Sequence, residues 1–293
     1  MKKLVFYTAF LAVAGLVSCE EKGPSINTGG SASSGDTTYT ATPEASTAKK
    51  ILIEEFTGAK CSNCPSARDQ LAALATQHPD KIIVMELHPY EHPLGGPAEV
   101  GKSKYDFRNA SVTNILNSFY GGSFTTGIPI AGIDRIVYNG SRLIDRGAWS
   151  SIIAGRIGTT SPVKLTLTNT YDNAKGEGSV RVKVAYTKSV TTKQFVSIAI
   201  LENDVIDIQD FPTSIDTAYK FKHIFRGLMT PASGTEILST IAAKEAGRVY
   251  EGNYKYKIDA AWKADKCHIV VFVHNNSGDD KEVLQVEEIS VKE

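Results

Sequence analysis

The sequence predicts an α/β layer domain followed by an all-β sandwich, and three observations predict it. Before about residue 160, strand-like apolar runs alternate with helical patterns, the signature of a layered α/β fold. After it, short runs with period-two alternation dominate, separated by turn residues such as Asp172-Asn173-Ala174-Lys175-Gly176. The roughly 245 residues that follow a polar leader are long for one core and comfortable for two.

Residues 1–18 read as an export signal: Lys2 and Lys3, an uncharged apolar run, then small residues. The run is shorter than the about 20 apolar residues a spanning helix needs. Its end, Leu16-Val17-Ser18-Cys19, resembles a bacterial lipobox, which implies that Cys19 is acylated and becomes the first mature residue. Residues 19–49 are rich in Ser, Thr, Gly and Ala, with too few large apolar side chains to offset the entropy of ordering. They are expected to form a disordered tether of about 30 Å root-mean-square reach.

The first domain is expected over 50–159. Its strands are Ile51–Phe56, Ile82–Leu87 and 130–138, and its helices are 66–77, 100–118 and 148–156. The second is expected over 160–293, with strands at 163–167, 180–184, 195–201, 254–258, 267–273 and 283–291. That frequency of short antiparallel strands suggests an immunoglobulin-like sandwich. Lys plus Arg and Asp plus Glu balance at 32 each, and cleavage before Cys19 would remove two lysines, leaving about −2. With no basic run there is no case for nucleic acid, and no further segment is apolar enough to reach a membrane except through the N-terminal lipid. Nothing calls for a cofactor.

The chemistry-bearing motif is Cys61-Ser62-Asn63-Cys64, placed where an apolar strand turns into a helix near Pro65. A thiolate there is stabilised by unpaired backbone N–H groups and the helix dipole, so its pKa can fall below the free value of about 8.5, and Lys60 pushes the same way. Three readings remain open at this point: a redox dithiol, a structural disulfide, or half of a zinc site. Zinc lacks its second half, because Cys267 stands alone. As a staple the pair would be inefficient, at about 2 kcal/mol against about 3 or more for a loop of 15 residues.

Three places resemble the thioredoxin superfamily. Glu55 lies six residues before Cys61, where that superfamily carries a buried acid; the order strand, CxxC, helix is the second; Thr126-Gly127-Ile128-Pro129 ahead of strand residues 130–133 matches its cis-proline loop. The resemblance implies Cys61 as attacking thiolate, Cys64 as resolving thiol, Glu55 as proton relay, and Ile128 and Pro129 as the edge that holds a peptide, with Lys60 beside it. It departs at Lys60, where thioredoxin has Trp, and at Ser62-Asn63, where it has Gly-Pro. An apparent helical insertion over about 88–122 fits a lid or partner surface.

Taken whole, the lipobox, the tether, the Glu-Phe-Thr-Gly-x-x-Cys-x-x-Cys-Pro stretch and the Gly-Ile-Pro-x-x-x-Ile-Asp-Arg segment ending at Arg135 resemble the outer-membrane-protein-28-related lipoproteins of Bacteroidetes. The resemblance implies an outer-membrane location. It leaves two expectations of function: thiol–disulfide exchange with protein thiols or disulfides as partners, or a surface adhesin or assembly module whose β-sandwich binds the partner.

Other signals carry less. His88-Pro89-Tyr90-Glu91-His92 has the H-x-x-E-H spacing of one zinc-protease group, but its prolines oppose the helix that motif needs. His88 is placed either at the cleft near the dithiol or in the core. Cys267 reads as a small buried hydrophobe, and Tyr250, Tyr254, Tyr256 and Trp262 as core and cross-strand packing. The stretch Phe221-Lys222-His223-Ile224-Phe225-Arg226 is singled out for partner contacts.

Overall fold

The computed structural model describes residues 36–124 and 126–292, and pairing begins almost at once. Strand β1 (Thr37–Thr40) runs antiparallel along residues Arg248 to Glu251, so the part of the expected 19–49 tether from Thr37 onward is held against the fold. The physical reason is that an edge strand is held by backbone hydrogen bonds and needs no apolar side chains, and these four residues are all exposed. Further along, Glu44 pairs with Lys164 and Lys183, and Lys49 is buried against Asp134. Cys19 lies outside the described residues.

The first half of the chain then supplies β2 (Ile51–Phe56), α1 (Cys64–Gln77), β3 (Ile82–Leu87), α2 (Ala110–Phe119), β4 (Ile130–Ile133), β5 (Ile144–Asp145) and α3 (Trp149–Arg156). No residue of β2 is exposed, as a strand paired on both sides and covered on both faces requires. It pairs parallel with β3 and antiparallel with β4. Alternation sorts its side chains: Leu52 and Phe56 face the core under α2, while Ile51 and Ile53 face the core under α1 and α3. Strand β4 is shorter than expected because Asp134 and Arg135 take positive φ (47° and 54°), turning the chain. The helix expected from 100 starts only at Ala110, where the Asn109 side chain accepts from Ser111 N–H.

The second half supplies β6 (Val163–Asp172), β7 (Glu177–Tyr186), β8 (Gln194–Glu202), β9 (Val205–Asp210), β10 (Ile215–Phe221), β11 (Ile224–Leu228), β12 (Thr235–Ile237), β13 (Arg248–Lys257), β14 (Cys267–Asn275) and β15 (Val283–Ser290). Four strands form one sheet, β1-β13-β7-β6; β9 and β10 form a separate ribbon. The remaining strands join the first half in one nine-stranded sheet, ordered β15-β14-β8-β11-β3-β2-β4-β5 with β12 also on β8. The joint is a parallel contact of β11 with β3, where Glu86 N–H donates to His223 O at 2.9 Å. The four-stranded sheet closes on the β8 and β14 side of the large one, with Val182, Ile198, Ile269 and Trp262 in the shared core.

Two expectations change here. Residues Val112, Ile115, Leu116 and Phe119 of α2 are buried in a core shared with Phe225, Val270 and Phe272, so the supposed insertion supplies a core helix bridging both halves. Phe221, Ile224 and Phe225 are at most 2% exposed in the middle of the molecule, so the apolar residues of that stretch belong to the core. Its apolar and basic mixture reflects a central strand, with Arg226 paired to Glu202.

Candidate functional site

Cys61 and Cys64 form a disulfide at the start of α1. The turn that carries it is built by backbone: Cys61 N–H donates to Gly58 O and Cys64 N–H to Cys61 O. Gly58 has to be glycine, because a Cβ there would lie 1.9 Å from Leu94 O. Cys61 is 1% and Cys64 0% exposed, packed in the apolar cluster of Phe56, Tyr120 and Ile128, whereas Lys60 is exposed. The Ile128–Pro129 peptide is cis, and Cys61 Sγ lies 3.7 Å from Ile128 O. The structure therefore brings Cys61, Cys64, Ile128 and Pro129 together.

Two consecutive glutamates of β2 point to opposite faces and have opposite surroundings. Glu54 is fully paired: Arg135 donates Nε and Nη2 at 2.7 Å each, and Tyr120 OH donates at 2.5 Å. Arg135 also lies 3.5 Å from the Phe119 ring centroid, which closes the far side. Gly132, opposite Glu54, makes room: a Cβ there would meet Tyr120 Oη at 2.0 Å. Asp134 is likewise structural, accepting from Leu52 N–H and pairing with Lys49 and Arg156. The Ile-Asp-Arg end of the sequence segment is thus an internal brace.

Glu55 is 0% exposed and neither carboxyl oxygen accepts a hydrogen bond. Its register partner on β3 is a second buried acid, Glu86. Arg68 lies between the two halves of this cluster. It donates Nε to Glu86 Oε2 at 3.0 Å, Nη1 to Gln209 Oε1 at 2.8 Å and Nη2 to Thr57 Oγ1 at 3.1 Å. Gln209, from β9, donates to Cys61 O at 3.1 Å and so ties the cluster to the disulfide turn. Burial, then the neighbouring Glu86 charge, pushes the Glu55 carboxyl up to about 8; Arg68 and the Thr57 hydroxyl offset only part of this. Burial also pushes Glu86 up, to about 7, against the pull of Arg68. Two acids facing one guanidinium favour holding one shared proton near neutral pH.

Sequence reasoning found Glu55 and missed Arg68, Glu86 and Gln209. Arg68 was detectable as a cation among Ala67, Leu71 and Leu74 on the apolar stripe of α1. Glu86 was detectable as an acid inside the run Ile-Ile-Val-Met-Glu-Leu. Gln209 had no local signal, since it reaches the site from 148 residues away. Beside the disulfide turn an open groove is lined by Lys60, Ser62 and the turn 210–215, with Asp210 N–H donating to Ala59 O at 2.9 Å.

The remaining candidates lie elsewhere. His88 is 1% exposed, stacked edge-on to Phe107 at 5.2 Å, and burial with Arg68 nearby holds its pKa well below the usual value, so it is a neutral core residue. His92 caps the turn Pro93–Gly95 through Leu94 N–H. Among the described residues no group of three His, Cys, Asp or Glu could hold a metal. Cys267 is free and buried, and burial pushes its thiol up to about 12. Tyr250 and Tyr254 bond to each other at 2.8 Å, and Tyr256 donates to Asn169, all in the sandwich core.

The family model described as outer membrane protein Omp28 matches residues 116–293. The chain belongs to the Omp28 family. That membership gives it an outer-membrane-associated location. No helix among the described residues is long and apolar enough to cross a membrane. In structure this Omp28-family chain is similar to HBP35 of Porphyromonas gingivalis, with a TM-score of 0.63 at 14% identity over 86% of this chain and 77% of that one, a likeness of fold. A domain of the outer membrane lipoprotein Omp28 from Porphyromonas gingivalis aligns over 45% of this chain and 89% of that one at 17% identity and a TM-score of 0.31. No curated protein matches. The matched span begins after the disulfide, so it includes Pro129 and Gln209 but not Glu55, Cys61 or Cys64.

Proposed function

We propose that this Omp28-family protein is anchored to the outer membrane by lipid on Cys19 and that its first half, thioredoxin-like in fold, performs thiol–disulfide exchange on polypeptide substrates. The observation that carries the reading is Glu55, an acid at zero exposure that faces Glu86 and the Arg68 charge, in a cluster where Gln209 ties Arg68 to the carbonyl of Cys61. A folded protein has little reason to keep such a group for stability, and buried acids of this kind are suited to moving protons. The strand, CxxC and helix order and the cis Ile128–Pro129 bond beside Cys61 support the same reading.

In the oxidising direction a substrate thiolate attacks Cys61 Sγ, the Cys61–Cys64 bond breaks, and Cys64 leaves as a thiolate that takes a proton from Glu55. A second substrate thiolate then attacks its partner sulfur in the mixed disulfide, releasing Cys61 as a thiolate. Two electrons pass from substrate to protein, and the substrate leaves as a disulfide. The groove beside Lys60 and Ser62 is where the polypeptide enters. In the reverse direction Cys61 attacks and Cys64 resolves.

The test is Cys64→Ser in cells: mixed disulfides with envelope proteins should accumulate on Cys61 and vanish in the Cys61→Ser/Cys64→Ser variant. Absence of any trapped species, with no exchange against a model disulfide, would end the exchange reading. The anchor is tested by mass spectrometry of the membrane fraction, where a lipid-free N-terminus at Cys19 would refute it.

One observation favours a second reading. At 1% and 0% exposure the disulfide is closed to large partners, as expected of a staple in a scaffold whose β-sandwich binds a surface partner. On that reading partner capture survives the double cysteine variant.

A further inference from the structure

Gln209 is a residue of the second half placed inside the first. It is 0% exposed, and its amide is fully used: Oε1 accepts from Arg68 Nη1, and Nε2 donates to Cys61 O and to Asp210 O. Arg68 is equally committed, with one hydrogen bond each to Glu86, Gln209 and Thr57 and its guanidinium 5.1 Å from the Phe221 ring centroid. None of these bonds reaches Glu55, although Glu55 and Glu86 are neighbours in register.

We infer that Gln209 is a positioning residue of the dithiol site: by holding Arg68 and the Cys61 carbonyl together it commits the guanidinium to Glu86 and leaves Glu55 as the carboxyl that stores a proton. The groups facing Glu55 are Glu86 from β3, Arg68 from α1, Thr57 at the end of β2 and Arg146 ahead of α3, with Tyr219 of β10 acting through Arg68. Of these, only Arg68 is a buried cation that a released bond would free to turn toward Glu55. The β9–β10 ribbon therefore sets the charge state under a disulfide that belongs to a distant part of the sequence. This inference deepens the exchange reading and rests on it for its consequence.

The experiment reads Glu55 directly in the full, oxidised protein, with ¹³C-carboxyl glutamate followed by NMR across pH 5 to 10 and the signal assigned by its loss in Glu55→Gln. Gln209→Met keeps the shape and removes all three hydrogen bonds of the amide. It should lower the midpoint of Glu55 by about one pH unit or more, a tenfold change in its proton affinity, as Arg68 turns to it. Gln209→Glu adds a negative charge that holds Arg68 and should move the midpoint up. Opposite displacements support the inference, because simple loosening of the core would move both variants the same way. No displacement in Gln209→Met, or displacement of both in one direction, overturns it. Should Gln209→Met fail to fold, Gln209→Leu, which likewise adds no charge, takes its place: a fall in the midpoint supports the inference, and no change or a rise overturns it. Since the readout needs no exchange, it can fail while Cys64→Ser still traps partners, and it can succeed where trapping fails.

Discussion

Replacing Glu55 by Gln should stabilise the oxidised protein at neutral pH, by an amount that depends on pH in a defined way. Glu55 titrates near 4.5 when exposed in the unfolded chain and near 8 in the fold, chiefly through burial. Its folded value is raised, so the carboxyl is protonated in both states at pH 4 and contributes no difference there. Between about 4.5 and 8 the unfolded chain is ionised while the folded one must take up a proton, and the fold loses stability as pH rises. At about 1.36 kcal/mol per pH unit the loss at pH 7 is on the order of 3 kcal/mol. Gln has the same shape as the neutral acid and escapes this loss. Urea unfolding of wild type and Glu55→Gln at pH 4, 5.5, 7 and 8.5 should give superimposable curves at pH 4 and a midpoint gap that widens up to about pH 8, then holds. A variant less stable than wild type at pH 7, or a gap independent of pH, would show that Glu55 is ionised and paired, and the reasoning fails.

Three further outcomes follow from neighbouring features. Glu54→Gln should behave oppositely to its sequence neighbour, losing about 3–5 kcal/mol because Arg135 stays buried without a counter-charge; the same urea series measures it. Cys267 should resist iodoacetamide at pH 8 in the native protein and react only on unfolding, because it is 1% exposed and its thiol is pushed up to about 12; intact-mass analysis counts the adducts. A chain ended near residue 160 should fail to fold, since it loses β11 from the open side of β3 and half of the core under α2; cooperative thermal unfolding in that fragment would contradict this.

How far the sequence could be read depended on the range over which each feature is determined. Ile51–Phe56 and Ile82–Leu87 are strands at the expected bounds because continuous apolar runs that short, between turn residues, leave little alternative. The β9–β10 ribbon falls in none of the expected strands, because most of β10 is exposed and carries no alternation. The strand after Pro129 was drawn too long, since nothing in Asp134-Arg135 announces a left-handed turn whose side chains brace Lys49, Arg156 and Glu54. At the site, the cysteines, Glu55 and the Ile128–Pro129 loop were legible from local spacing. The Arg68, Glu86 and Gln209 cluster needed partners brought together by tertiary structure, and the last of these crosses from one half of the chain to the other.

The same sheet joint orders events in time. Cys61 and Cys64 are three positions apart, so their bond can close as soon as that turn has left the export machinery. Position 86 must wait for position 224 to arrive before β3 gains its outer neighbour, and contacts so distant in sequence form slowly. During that interval the helix α2 lacks the partners that seal its far side, and the sulfurs stand in an unfinished core. The chain thus passes through a stage, while it is being delivered, in which its dithiol is more open to oxidants and other thiols than at any later time.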